Sequence, residues 1–266
     1  MTALEALLRR ERVVVGGAVA ALVLLAWLYI WEGAGMGMSA LDMTTLALFP
    51  HRMPDPMAGM QMPGMTWLTV AVMWWTMMIA MMTPSAAPLL LLYGRVLRKT
   101  AQNPYIAYAP PMVLGAGYLA VWLAFSVVTA SLQFTIVKTG LLGAMMLESR
   151  SAVLSAAVLI AAGAYQLTPL KRSCLHHCRG PVEFLRRYWR PGRWGAFAMG
   201  VRHGAWCVGC CWMLMALLFV GGVMNLAWIA LLALLVAAEK LAPAGVLVSH
   251  LAGIALIVWG VATLLV

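Results

Sequence analysis

Residues 66–92 read TWLTVAVMWWTMMIAMMTPSAAPLLLL, a stretch with no charged side chain. About 20 consecutive apolar residues suffice for a helix to cross a hydrocarbon core, so this segment reads as a membrane-spanning helix. Within it, Met73, Met77 and Met81 fall at i, i+4 and i+8, with Met78 and Met82 beside them. Their thioethers therefore line one side of the helix. At 1.5 Å rise per residue the ladder from Met73 to Met82 covers roughly 13 Å, nearly half of a core about 30 Å thick. Thr83-Pro84-Ser85 and Pro88 follow; proline removes a backbone donor and crowds the preceding turn, so a kink and an opened carbonyl are expected there.

The rest of the chain agrees with a membrane setting. Of 266 residues 64% are hydrophobic and 10% charged, with a mean hydropathy of +0.91, outside the range of water-soluble domains. Apolar stretches near 13–31, 66–92, 111–131, 151–169, 200–220, 225–239 and 243–264 give an all-α, polytopic transmembrane bundle of about seven spans. The sixth is short, so the last two can instead form a tight hairpin or re-entrant element, leaving six. Residues 1–266 form one integral membrane unit, without a separate soluble domain. The first span follows a basic stretch, as a signal peptide would, but it is long and lacks a small-x-small cleavage pattern. It reads as a retained anchor.

Charge orients the bundle. With the N-terminus in the cytoplasm, the inner side receives Arg9, Arg10, Arg12, Arg95, Arg98, Lys99, Lys171, Arg172, Arg179, Arg186, Arg187, Arg190, Arg193, Arg202 and Lys240, and the outer side only Arg52, Lys138 and Arg150. That asymmetry follows the positive-inside rule and makes N-terminus in, C-terminus out the expected topology. The net charge of +10 is accounted for by orientation against an anionic bilayer, not by nucleic-acid binding.

Residues 32–65 form the sizeable outer loop. Pro50, Pro54, Pro56 and Pro63 exclude a regular helix, yet the loop carries Met36, Met38, Met43, Met53, Met57, Met60, Met62 and Met65, together with His51. Methionine is an adaptable filler of apolar cores, so in the membrane helix packing competes with a copper ladder as its explanation. In a proline-rich loop it does not. Thioethers are neutral soft ligands that favour Cu(I) and need no deprotonation, so Met36, Met38, Met57, Met60, Met62 and Met65, with His51, are candidate outer ligands. Residues 132–150 make a second outer connection, broken by Gly140 and Gly143.

The five cysteines fall in two groups. Cys174, His176, His177 and Cys178 open the basic inner loop 170–199, whose Arg, Tyr188, Trp189 and Trp194 suit an anionic membrane surface. His203, Cys207 and Cys211 are spaced i, i+4 and i+8 in the fifth span, and Cys210 is three on from Cys207. Thiols facing the cytoplasm remain reduced, so metal ligation competes with plain packing as their explanation. No single ion reaches all four; two or three ligands from this helix, joined by Met81 or Met82, form the credible set. The first group lacks the paired Cys-x-x-Cys of a closed zinc module, and a transient copper or, less readily, zinc site competes there with an incidental interfacial turn. Glu148, Glu239, Asn225 and His250 lie at span ends as contact or surface residues, with Glu239 and His250 able to approach across the last hairpin; Gln133 and Gln166 have no evident partner. Paired transmembrane histidines for haem b and the carboxylate-histidine sets of diiron centres are missing from the sequence, which weighs against redox catalysis.

The segment Met73-Trp74-Trp75-Thr76-Met77-Met78-Ile79-Ala80-Met81-Met82-Thr83-Pro84-Ser85, Pro169-Leu170-Lys171 leading into Cys174 and Cys178, and His203 to Cys211 resemble a bacterial family described as predicted metal-binding integral membrane proteins, a domain of unknown function. The resemblance implies metal binding in the membrane but no settled substrate or reaction. The expected function is capture of Cu(I) by the outer methionines, passage along the ladder, and receipt by the inner Cys/His groups. The alternatives are an accessory protein delivering copper to a membrane oxidase or monooxygenase, or from a copper chaperone, and a structural or redox subunit. Binding is favoured over catalysis, and oligomeric state is left open.

Overall fold

The computed structural model of the chain describes residues 3–35, 40–41, 44, 66–100, 109–138 and 151–265, without side chains for 3–12, 98–100, 109–110 and 137–138. The described residues form ten helices: α1 (Ala3–Trp31), α2 (Trp67–Thr100), α3 (Ala109–Lys138), α4 (Ala152–Leu167), α5 (Pro169–Arg179), α6 (Pro181–Tyr188), α7 (Gly192–Ala216), α8 (Leu218–Gly221), α9 (Leu226–Leu241) and α10 (Gly245–Leu265). Among the described residues five segments are long and apolar enough to cross a membrane: Val13–Trp31, Trp67–Leu97, Pro111–Ile136, Gly192–Gly221 and Gly245–Leu265. A sixth forms if α4 and α5, bent by 65° at Thr168, count as one broken span. Among the described residues five spans, or six with the bent pair, thus stand against the expected seven. The difference lies at α9, whose 16 residues give only about 24 Å of helix.

Two helix pairs set the architecture, α3 against α7 and α4 against α10, and α2 packs on α1, α3 and α9. The α3/α7 crossing is close because glycine permits it. A Cβ on Gly200 would run into the Leu114 carbonyl, and one on Gly117 into the Phe197 carbonyl, which is how small residues bring membrane helices together. The most apolar window of α2 is 56% buried against 17% for that of α1, so the methionine-bearing helix is central and the first is peripheral, its leucines turned outward.

Helix α2 continues through both prolines. In an apolar surrounding the backbone keeps its internal hydrogen bonds wherever it can, and side chains serve the weakened turn: the hydroxyls of Ser85 and Tyr118 both donate to the Met82 carbonyl, at 2.8 and 3.1 Å. The Met82 carbonyl, in the turn between Ala80 and Pro84, thus carries two side-chain donors from within the protein.

The expected inner loop 170–199 is mostly helical. Thr168 ends α4 and caps α5, accepting from the Lys171 amide at 3.2 Å, with Pro169 in the first turn. Gly180-Pro181 repeats the proline placement ahead of α6, whereas at α7 Pro191 is itself the N-cap. Proline suits a first helical turn because its missing N–H would have no partner there, so Thr168-Pro169 was a start signal hidden by the density of charge. Residues 132–138 likewise belong to α3 rather than to a connection.

Several polar residues have partners that spacing did not disclose. Gln133 accepts from the Trp74 indole at 2.6 Å. Glu239 does not meet His250, which lies 3.4 Å from Arg172; it is fully buried, bound to Lys171 at 2.7 Å and to Gln166 at 2.5 Å. Asn225 caps α9 through the Trp228 amide. Glu148 lies outside the described residues.

Candidate soft-metal site

On α5 the buried face is Lys171, Cys174, Leu175 and Cys178, which the 3.6-residue period puts on one side. On α7, Cys207, Cys210 and Cys211 turn inward. Packing α5 on α7 brings Cys178 Sγ to 3.8 Å from Cys210 Sγ, and α2 delivers Met82, whose Sδ is 3.8 Å from Cys211 Sγ. A metal–sulfur bond of about 2.3 Å, the zinc–thiolate value, sets sulfurs about 4 Å apart around a three-coordinate ion. Both pairs are near that spacing. All five cysteines are free and buried.

The element that sequence reasoning missed is Lys240. It was assigned to the inner surface, yet it is 5% exposed and its Nζ lies 2.8 Å from Cys207 Sγ, 3.4 Å from Ser85 Oγ and 3.9 Å from Met82 Sδ. A buried ammonium calls for a negative partner. The neighbouring carboxylate, Glu239, is already bound to Lys171, so the acidic group that Lys240 touches is the Cys207 thiol. Tyr118 adds a hydroxyl 3.1 Å from the same sulfur. The cue in sequence is Lys240 beside Glu239 in an otherwise apolar helix, two adjacent charges that burial obliges to find partners.

The other candidates divide. Met73, Met77, Met78 and Met81 are all within 2% of complete burial in the main core, so the ladder faces protein and not lipid; Met82 is the member that meets the cysteines. His203 is buried but its ring is held between Tyr118 and Phe184, and its Nδ1 has no hydrogen-bond partner. It is thus packed against the tyrosine that touches Cys207. His176 is exposed, and His177 is stacked on Trp206 at 4.3 Å with Nδ1 2.9 Å from the Ser173 carbonyl. Cys174 is buried against Gly209, one turn before Cys178. Met36, Met38, His51, Met57, Met60, Met62 and Met65 lie outside the described residues.

Among the described residues no group of three or more His, Cys, Asp and Glu side chains is arranged to hold a metal ion. The sulfur contacts are pairwise, and an ammonium lies against Cys207. Such a set suits a soft monovalent ion better than zinc: thiolate and thioether favour Cu(I), whereas structural zinc takes four converging ligands, and a fixed positive charge repels a dication more strongly.

Fold and site define a polytopic membrane protein with soft donors gathered inside its helical bundle. Residues 71–263 match the family PpoB2, described as copper chaperone, and the chain belongs to that family. The match spans α2 from the methionine ladder to nearly the end of α10 and includes every residue of the cluster. No curated protein and no solved structure matches the chain.

Proposed function

We propose that the protein takes up Cu(I) at Cys178, Cys207, Cys210, Cys211 and Met82 and hands it to a copper-dependent membrane enzyme. The observation that carries this reading is the meeting of three helices' sulfurs at a buried ammonium, in a chain of a copper-chaperone family. Copper is cargo here, and with Lys240 held beside the sulfurs a monovalent cation meets less repulsion than a dication. His203 Nδ1, buried without a partner, is an additional donor for a loaded state.

The ladder from Met73 to Met82 supports a supply route from the Met-rich segment 32–65, which the positive-inside pattern places outside a bacterial inner membrane with the N-terminus in. The resemblance to metal-binding integral membrane proteins points the same way. Copper stoichiometry and sulfur-ligand X-ray absorption on reduced protein test the reading. Cys207/Cys211→Ser is expected to abolish the bound copper, and Met77/Met81→Leu to slow loading from the outer side. Unchanged stoichiometry and ligation in Cys207/Cys211→Ser refutes the site, and an unchanged loading rate in Met77/Met81→Leu refutes the route. Metal flux into sealed vesicles would replace delivery by transport.

A further inference from the structure

A cavity of about 540 Å³ opens beside the sulfur cluster, lined by Cys174, Tyr188, Arg190, Met199, Arg202 and Trp206 among others. That volume is ordinary for a small-molecule site, roughly 300–1,000 Å³. The Arg202 guanidinium lies over the Tyr188 ring at 4.4 Å, and Trp206 is fixed by His177 stacked on its face. Arg190 and Arg202 form no ion pair with a carboxylate among the described residues, so two cations stand at the wall of a cavity that also has a thiol. Cys174 is one helical turn from Cys178, which in turn contacts Cys210. The cavity thus connects to the cluster through sulfur.

We propose that this cavity binds a small anionic thiol carrying Cu(I), its carboxylates held by Arg190 and Arg202 and its metal presented to Cys174. Guanidinium groups pair with carboxylates in a fixed fork geometry, and the ring of Trp206 gives the carrier's apolar body a wall. Transfer is ligand exchange without redox change. The copper bond to the carrier sulfur breaks, a copper bond to Cys174 Sγ forms, and the Cys174 proton leaves with the released carrier as its thiol. The inference rests on the Cu(I) reading above and adds the donor from which the metal comes.

The test compares Cu(I) transfer to detergent-purified or nanodisc-embedded full-length protein from two carriers of opposite charge, the glutathione complex and the cysteamine complex. For Arg190/Arg202→Gln, transfer from glutathione is expected to slow at least tenfold while transfer from cysteamine and the final copper stoichiometry stay unchanged; Arg190/Arg202→Lys, which keeps the charge but not the fork, restores only part of the rate. S-Methylglutathione, which keeps the carboxylates but has no free thiol, is expected to compete in wild type and not in the glutamine variant. Cys174→Ser slows both carriers. Equal slowing of both carriers by the arginine variant, no slowing of either, or Cys174→Ser leaving transfer intact overturns the carrier site while leaving Cu(I) binding standing. Strong inhibition by phosphatidylglycerol relative to phosphatidylcholine nanodiscs overturns it in favour of a lipid headgroup. Wild type that loads from neither carrier removes the Cu(I) reading itself.

Discussion

Replacing Glu239 with leucine isolates the interaction that locks α5 to the bundle. Lys171 Nζ is 2.7 Å from Glu239 Oε2, the side chains are 1% and 0% exposed, and Gln166 donates to the other carboxylate oxygen at 2.5 Å. Truncating one member of such a pair leaves an uncompensated buried charge and typically costs about 3–5 kcal/mol. For a chain of this size each kcal/mol lowers Tm by roughly 2–4 °C, so Glu239→Leu is expected to lower the unfolding midpoint by about 10 °C, followed by tryptophan fluorescence in detergent. The double variant Lys171→Met/Glu239→Leu removes both charges and is expected to recover to within about 1 kcal/mol of wild type, since apolar replacement of a buried pair is often neutral. Because Lys171 shares a face of α5 with Cys178, the single variant also weakens copper ligation and the double variant restores it. A single variant that unfolds within 1–2 °C of wild type, or a double variant worse than the single, refutes the charge argument and makes shape the reason for the pair.

Other expectations follow from the cluster and the helix crossings. Lys240→Met removes the ammonium from beside Cys207; at an effective dielectric of about 20, unit charges about 5 Å apart interact by about 3 kcal/mol, and a dication feels twice that. The ratio of Zn(II) to Cu(I) affinity, measured by chelator competition, should therefore rise at least tenfold, and an unchanged ratio would show that Lys240 does not face the metal. Met82→Leu, a volume-conserving swap costing under about 1.5 kcal/mol, should retain the fold but lose the thioether component of copper X-ray absorption. Met77→Leu should leave that spectrum as it was. Gly200→Ala forces a methyl into the Leu114 carbonyl and should destabilise by about 1–3 kcal/mol, seen as a lower thermal midpoint; no loss would place the α3/α7 crossing further apart.

Much of the candidate site is written in local spacing. The inward set Cys207, Cys210 and Cys211 follows from positions three and four apart on α7, and Cys174 with Cys178 from the same period once α5 is recognised as a helix. The start of α5 is marked by Thr168-Pro169, a cap residue followed by proline in the first turn. The alignment of His203 with the cysteines is correct as helix geometry, yet its ring is taken by Tyr118 and Phe184, neighbours that no spacing within α7 announces.

The sequence by itself determined that the chain is helical and membrane-embedded, and which face of each helix carries sulfur, because hydropathy and a 3.6-residue period are local properties. Only the tertiary structure decided which faces meet. Met82, Cys178 and Lys240 reach Cys211, Cys210 and Cys207 from three other helices, at separations of 129, 32 and 33 residues. That convergence depends on where helices cross and how closely glycines let them approach. The same packing turned Lys240 inward, because burial with a thiol and a paired neighbour offsets the cost that makes lysine read as a surface residue.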